Sequence, residues 1–134
     1  MEFRKDAESY AIRLARGERL FESMQKFFEQ TGVKGGELQA IGAVDEVTLG
    51  WYDVGKVEYV WKTVGEELEV ASLLGTVTEA GLHAHGVFSD RGFRCFGGHV
   101  KDLRVSATLE IFLREQRKIR RQEDKATGLK LMEL

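Results

Sequence analysis

Only one stretch of this chain carries a helical period, and almost everything else apolar recurs at every second residue. Leu20, Phe21, Met24, Phe27 and Phe28 fall on a single helical stripe, and Gly32 after Thr31 supplies a left-handed stop. Tyr10, Ile12 and Leu14 instead alternate with Ala11 and Arg13, which predicts a strand from Ser9 to Ala15. Past Gly35-Gly36, Leu38 to Val44 and Val47 to Tyr52 read as two more strands, and Val57, Tyr59 and Trp61 alternate with polar neighbours as another. Leu68 to Val77 and Val105 to Leu113 continue in the same style. Seven to nine strands with one principal helix, and no strand-helix alternation, predict an α+β domain on a mostly antiparallel sheet.

A chain of 134 residues with 43% hydrophobic content buries one real core, so a single domain over residues 1–134 is expected. Its 20 basic and 22 acidic side chains leave a net charge of −2, which is not the basic excess of a dedicated nucleic-acid binder. The lone Cys95 excludes an internal disulfide and suits a reducing cytoplasm; it is expected to pack as a small apolar side chain rather than serve as a metal ligand. The first eight residues are charged where a secretory peptide is apolar, and no apolar run approaches the roughly 18 residues of a membrane span. A cytoplasmic protein without a membrane partner is therefore expected.

The three histidines, His83, His85 and His99, are crowded into one short window. Apolar segments flank the turn signal Ser89-Asp90-Arg91-Gly92, which predicts a β-hairpin. With Asp90-Arg91-Gly92 as a three-residue loop, Ser89 faces Phe93, His83 faces His99, and His85 lies opposite Gly97 on the same side of the sheet. Facing Cβ atoms about 5 Å apart and diagonal ones about 7 Å apart let three imidazoles converge on one ion. Three neutral nitrogen donors suit Zn²⁺ or another divalent transition metal and leave a fourth position open to water or substrate. An unligated polar or interface cluster, or a protonation switch, is the alternative. Gly86, Gly97 and Gly98 would either clear space beside the imidazoles or let the sheet curve.

Several ordered motifs carry a resemblance to a known family. Gly81-Leu82-His83-Ala84-His85 followed by Gly97-Gly98-His99-Val100 resembles the H-x-H and G-G-H signature of the plants-and-prokaryotes-conserved (PPC) domain, a domain of unknown function. Arg13-Leu14-Ala15-Arg16-Gly17-Glu18, Ala40-Ile41-Gly42-Ala43-Val44, Glu69 to Thr76 and Asp124-Lys125-Ala126-Thr127-Gly128-Leu129 are similar to further motifs of that family. The resemblance implies a compact domain around an antiparallel sheet, assembled as a homotrimer, with an architecture related to acetolactate decarboxylase and its three-histidine zinc site. It also implies that His83, His85 and His99 occupy the ligand positions. Plant members bind DNA through an added AT-hook and carry a G-R-F-E-I-L hexapeptide; this chain has no proline, and Glu66 to Ala71 stands in that hexapeptide's place.

A metal enzyme needs a carboxylate for proton transfer and a cation for an anionic substrate group; Glu69 and Glu110 within strands, and Arg13, are the candidates. No nucleophile elbow or phosphate-binding glycine loop competes with this reading. The tail from Arg114 to Lys125, with Arg117, Lys118, Arg120 and Arg121, reads as a solvated turn or helix and is also the best nucleic-acid feature. The expected function is a zinc-dependent small-molecule enzyme or ligand-binding protein. A DNA-binding module and a trimeric scaffold are the alternatives.

Overall fold

The computed structural model describes residues 1–134. In chain order its elements are β1 (Glu2–Asp6), β2 (Ser9–Ala15), α1 (Leu20–Thr31), β3 (Gly36–Asp53), β4 (Glu58–Val64), β5 (Leu68–Thr78), β6 (Gly81–Ser89), β7 (Cys95–Glu115), β8 (Arg121–Glu123) and β9 (Lys130–Met132). Seven strands form one antiparallel sheet in the order β1-β2-β7-β6-β5-β3-β4, and β7 also pairs with β3. Since β5 bonds to β3, β6 to β5, and β7 to both β6 and β3, these four strands close on one another and leave β1 and β4 as edges. The α+β expectation, mostly antiparallel with one packed helix, holds.

Two long strands make that closure possible. Leu38–Val44 and Val47–Tyr52, expected as separate strands, are one continuous β3, and Val105–Leu113 is the far half of β7. Their pairing slips between Gly42 and Val44, Val44 and Glu46, and Thr48 and Leu49. Each slip bends the ribbon, so each long strand serves two neighbours in succession along one edge. Gly42 lies at such a bend, where a Cβ would fall 2.1 Å from the Thr108 carbonyl oxygen.

The helix begins and ends for different reasons. At its C-terminus Gly32 adopts φ 74° and its N–H bonds to the Phe28 carbonyl, as the sequence indicates. At its N-terminus Arg19 offers no side-chain cap. The cap comes from β7 instead: Asp102 Oδ1 accepts the Phe21 N–H at 3.3 Å while Oδ2 accepts Arg19 Nε at 2.6 Å. Replacing Asp102 by Ala removes an acceptor from an orphan helix N–H and leaves Arg19 with Glu46 as its remaining carboxylate, and is expected to cost about 1–2 kcal/mol in urea unfolding. Asp102→Asn, which keeps an oxygen for Phe21, is expected to lose about half as much. Equal losses in the two variants would show that the cap contributes nothing.

Three segments depart from the expectations. β1 has no apolar alternation to announce it; all five residues are exposed, and the hairpin to β2 rests on backbone pairing across Ala7, which adopts φ 52°. Val57 sits at φ 56° in the turn before β4 rather than within a strand. In the tail, Arg121–Glu123 pairs with Lys130–Met132, so its end is a small β-ribbon rather than a solvated helix. Cys95, expected to be packed, is exposed.

Candidate metal centre

The hairpin between β6 and β7 forms with a three-residue loop, one residue later than the turn signal suggests. Asp90 N–H donates to the Arg94 carbonyl at 3.1 Å and Phe93 N–H to the Asp90 carbonyl at 2.9 Å, so the loop is Arg91-Gly92-Phe93. Asp90 closes it, since its Oδ1 accepts the backbone N–H groups of Gly92 at 2.8 Å and Arg94 at 3.0 Å. The left-handed residue is then Phe93, at φ 61°, rather than Gly92. Ser89 consequently faces Cys95, and His85, not His83, faces His99. Each residue's partner moves by two positions, which preserves the side on which every side chain lies. The histidines therefore share a face as anticipated, in a different register.

Nitrogen atoms from His83, His85 and His99, one from each ring, lie within 4.8 Å of one another. His83 Nε2 stands 3.1 Å from His99 Nδ1, and the ring centroids are 5.0 to 5.5 Å apart. Two ligands of a tetrahedral zinc at about 2.05 Å are separated by about 3.3 Å, so the His83–His99 pair already has a ligand spacing. His85 is exposed and is the ring free to turn inward. The donor set is neutral and nitrogen-only. It fits a borderline divalent ion and keeps a position open.

Beside His99 stands an aromatic wall. Tyr59 and Trp61 of β4 stack on each other with centroids 4.5 Å apart, and lie 5.0 and 5.8 Å from the His99 ring. Gly50, opposite both His99 and Trp61, makes room for them: a Cβ there would sit 2.5 Å from Trp61 Cζ3. The other glycines of the hairpin have a different role. A Cβ on Gly97 would meet the Gly86 carbonyl oxygen at 2.2 Å, one on Gly98 the Gly50 carbonyl oxygen at 2.9 Å, and one on Gly86 the Phe88 ring at 2.8 Å. No imidazole atom is among these nearest contacts, so the glycines serve close strand approach and sheet curvature.

Burial pushes the His99 imidazolium down to about 4 from 6.5, with His83 and His85 adding like-charge repulsion. His83 is lowered as well, first by burial, then by the Arg121 guanidinium and His85. Both rings are thus held neutral, the form that donates a lone pair to a metal. The sign for stability follows: the unfolded chain binds more protons than the folded one between about pH 4 and 6.5, so stability is full above 6.5 and falls as pH drops. Discounted for the partial exposure of the ring, the metal-free protein is expected to lose about 1–2 kcal/mol between pH 7 and 4.5. His99→Gln should flatten that slope in urea titrations. An unchanged slope would remove the ring as its cause.

A groove of about 680 Å³ runs along the outer sheet face from His83 and His85 past Thr76 and Gln39 to Glu37 and Arg114. Glu69, Glu110 and Arg13 do not line it. Glu69 faces Ser89 near the hairpin loop, Glu110 pairs across to Arg13, and Arg13 Nη2 forms an ion pair with Glu2 at 2.7 Å. A residue that sequence reasoning left in the solvated tail is at the site instead: Arg121 Nη2 lies 3.5 Å from His83 Nδ1. No local signal marks it, because the β8–β9 ribbon that carries it has no apolar alternation.

Comparisons with known proteins agree with this architecture. Residues 1–117 match the family described as the Plants and Prokaryotes Conserved (PCC) domain. A curated relative, the bifunctional protein GlmU of Synechococcus sp. (strain JA-3-3Ab), is 32% identical over 123 residues, covering 89% of this chain and 19% of that protein. The chain thus spans about a fifth of that relative's length. Among solved structures, a metal-containing protein from Archaeoglobus fulgidus is 32% identical, with a TM-score of 0.86 over 99% of this chain and 97% of that one. A protein from Ralstonia eutropha JMP134 described as a candidate DNA-binding protein is 25% identical, with a TM-score of 0.90 over 98% and 95%. Acetolactate decarboxylase from Bacillus subtilis shares the fold alone, at 14% identity and a TM-score of 0.62 over 81% of this chain and 52% of that one.

Proposed function

The chain belongs to the Plants and Prokaryotes Conserved domain family, and from that membership and its imidazole cluster we propose that it is a divalent-metal protein whose His83, His85 and His99 hold the ion. The observation that carries this is the convergence of three imidazole nitrogens within 4.8 Å on a half-buried sheet face. The metal-containing description of the Archaeoglobus fulgidus relative supports it. Zinc is the ion proposed, since the donors are all nitrogen and the exposed Cys95 stands apart at the loop end of β7. When bound, such an ion supplies a Lewis acid at its open position. The chain's own residues supply the rest: Tyr59 and Trp61 shield one side of the cluster, and the groove admits a small molecule from the other. Elemental analysis of untagged protein after zinc exposure and dialysis tests the reading. About one zinc per chain is expected, and none would overturn it.

A homotrimer is part of the same proposal. Ile41, Leu74 and Phe112, each 60% exposed, share one patch of the outer sheet face in which Leu74 and Phe112 also form part of the groove's lining, a concentration of apolar surface that a second copy of the chain would cover. Native mass is expected at three times the 15.2 kDa chain, and Leu74→Glu/Phe112→Glu should return it to one. Wild-type protein running at a single chain's mass would overturn the assembly.

A DNA-binding reading has less to stand on here. Of the basic tail residues, Lys118 is paired with Glu79 at 2.7 Å and Arg121 turns inward to Thr78 and the Lys130 carbonyl. Arg114 is paired with Glu37, so Arg117, Arg120 and Lys125 are what remain to face a phosphate backbone. No helix is long and apolar enough to cross a membrane; a cytoplasmic setting is proposed from the single unpaired cysteine.

A further inference from the structure

We propose that the metal-loaded site takes a small carboxylate, and that Arg121 is the residue that receives its charge; the inference rests on the metal reading above. The starting point is the hydrogen-bond polarity around His83. A neutral imidazole that gives one nitrogen to a metal carries its proton on the other, and that outer N–H ordinarily donates to a carboxylate, a carbonyl or water. In His83 the nitrogen turned toward the cluster is Nε2, 3.1 Å from His99 Nδ1. The outer nitrogen is Nδ1, and the side chain it meets is Arg121, whose Nη2 is 3.5 Å away. A guanidinium has donors and no acceptor. The position where a ligating histidine normally finds an anion is therefore held by a cation.

Charge balance points the same way. No Asp or Glu hydrogen-bonds to, or forms an ion pair with, any of the three imidazoles. The carboxylate in the groove, Glu37, is engaged by Arg114 at 2.5 Å. A divalent ion on neutral donors together with Arg121 leaves a strong positive excess that no side chain of this chain offsets. An anionic ligand does so.

Arg121 is also set in place beforehand. Its Nε donates to Oγ1 of Thr78, which is 2% exposed, at 3.2 Å, and its Nη1 donates to the Lys130 carbonyl at 2.7 Å. Nη2 has only the two long contacts, 3.5 Å each, to Thr76 Oγ1 and His83 Nδ1. The edge of the guanidinium that looks toward the histidines is thus its least satisfied one. A carboxylate oxygen entering there accepts from Nη2 and from the outer N–H of His83 together, as a charge-assisted hydrogen bond. One arginine without a lysine or a nest of backbone amides is matched to a monoanion rather than to a phosphate. The role that sequence reasoning offered to Arg13 falls instead to a residue of the C-terminal ribbon.

Calorimetric titration of zinc-loaded protein with lactate, and with lactamide as its uncharged counterpart, tests the inference, with zinc content measured on each sample. Lactate should bind at least tenfold more tightly than lactamide. Arg121→Gln should lose at least tenfold in lactate affinity with its zinc content unchanged, and Arg121→Lys should fall between. Zinc-loaded wild type that ignores lactate, equal affinity for lactate and lactamide, or undiminished lactate binding by Arg121→Gln would each overturn the proposal. Should Arg121→Gln not fold, the lactate–lactamide ratio of Arg121→Lys decides the role of the guanidinium, and a ratio equal to that of wild type would overturn it. A wild-type sample that takes up no zinc is a separate result: it overturns the metal reading, and this inference with it.

Discussion

His83→Ala/His99→Ala is expected to abolish zinc uptake while leaving the domain folded. The two rings are the pair already at ligand spacing, 3.1 Å between Nε2 and Nδ1, and without them only the exposed His85 remains on that face. One surface imidazole does not hold zinc against dialysis, because affinity requires several donors fixed at once. The wild-type protein should gain stability from the ion. At a free zinc concentration a hundredfold above its dissociation constant, linkage predicts about 2.7 kcal/mol, or a rise of about 10 °C in Tm for a domain of this size. The double variant should show neither the bound metal nor the rise. Its own stability near neutral pH should change little, since both rings are only partly buried and neutral there. Retained zinc in the double variant would place the metal elsewhere on the protein.

Phe27→Ala is expected to destabilise the fold by about 3–5 kcal/mol. Phe27 is fully buried on α1, and its ring meets those of Phe3 and Tyr10 edge-on, each at 5.0 Å, and that of Phe28 at 5.7 Å. Those partners come from β1, β2 and the helix itself, so truncation opens a cavity between elements that cannot close over it independently. The readout is the urea midpoint at unchanged slope. A loss below about 1 kcal/mol would mean that the helix is not the principal cover of this end of the sheet. Because α1 lies on the core side and the histidines on the outer face, zinc per folded chain should be unaffected.

Much of this architecture is legible in the residues. The alternation of Tyr10, Ile12 and Leu14 and the stripe from Leu20 to Phe28 place β2 and α1 with the bounds later observed, because each element carries its own buried face. The edge strands are not legible for the converse reason. β1 has no fully buried residue, its one apolar contact with the core is the Phe3 ring, and its pairing with β2 consists of backbone groups that every sequence possesses. The division of β3 at Asp45 and Glu46 is a similar case: both side chains are tied by ion pairs to Arg104 and Arg19, and a charged interruption that reads as a turn is a bulge within a continuous strand.

For the site, the sequence by itself determined which side of the sheet the histidines occupy. Strand periodicity is two, and a loop displaced by one residue shifts partners by two, so His83, His85 and His99 share a face in either register. Which imidazole faces which was decided by tertiary structure, through the hydrogen bonds of Asp90 that set the loop at Arg91-Gly92-Phe93. Tertiary structure alone also brought Tyr59, Trp61 and Arg121 to the cluster, from segments 40 residues before and 22 after His99 in the extreme cases. No periodicity in one segment encodes such contacts. They exist because β3, β5, β6 and β7 close on one another, and closure is a property of all four strands at once.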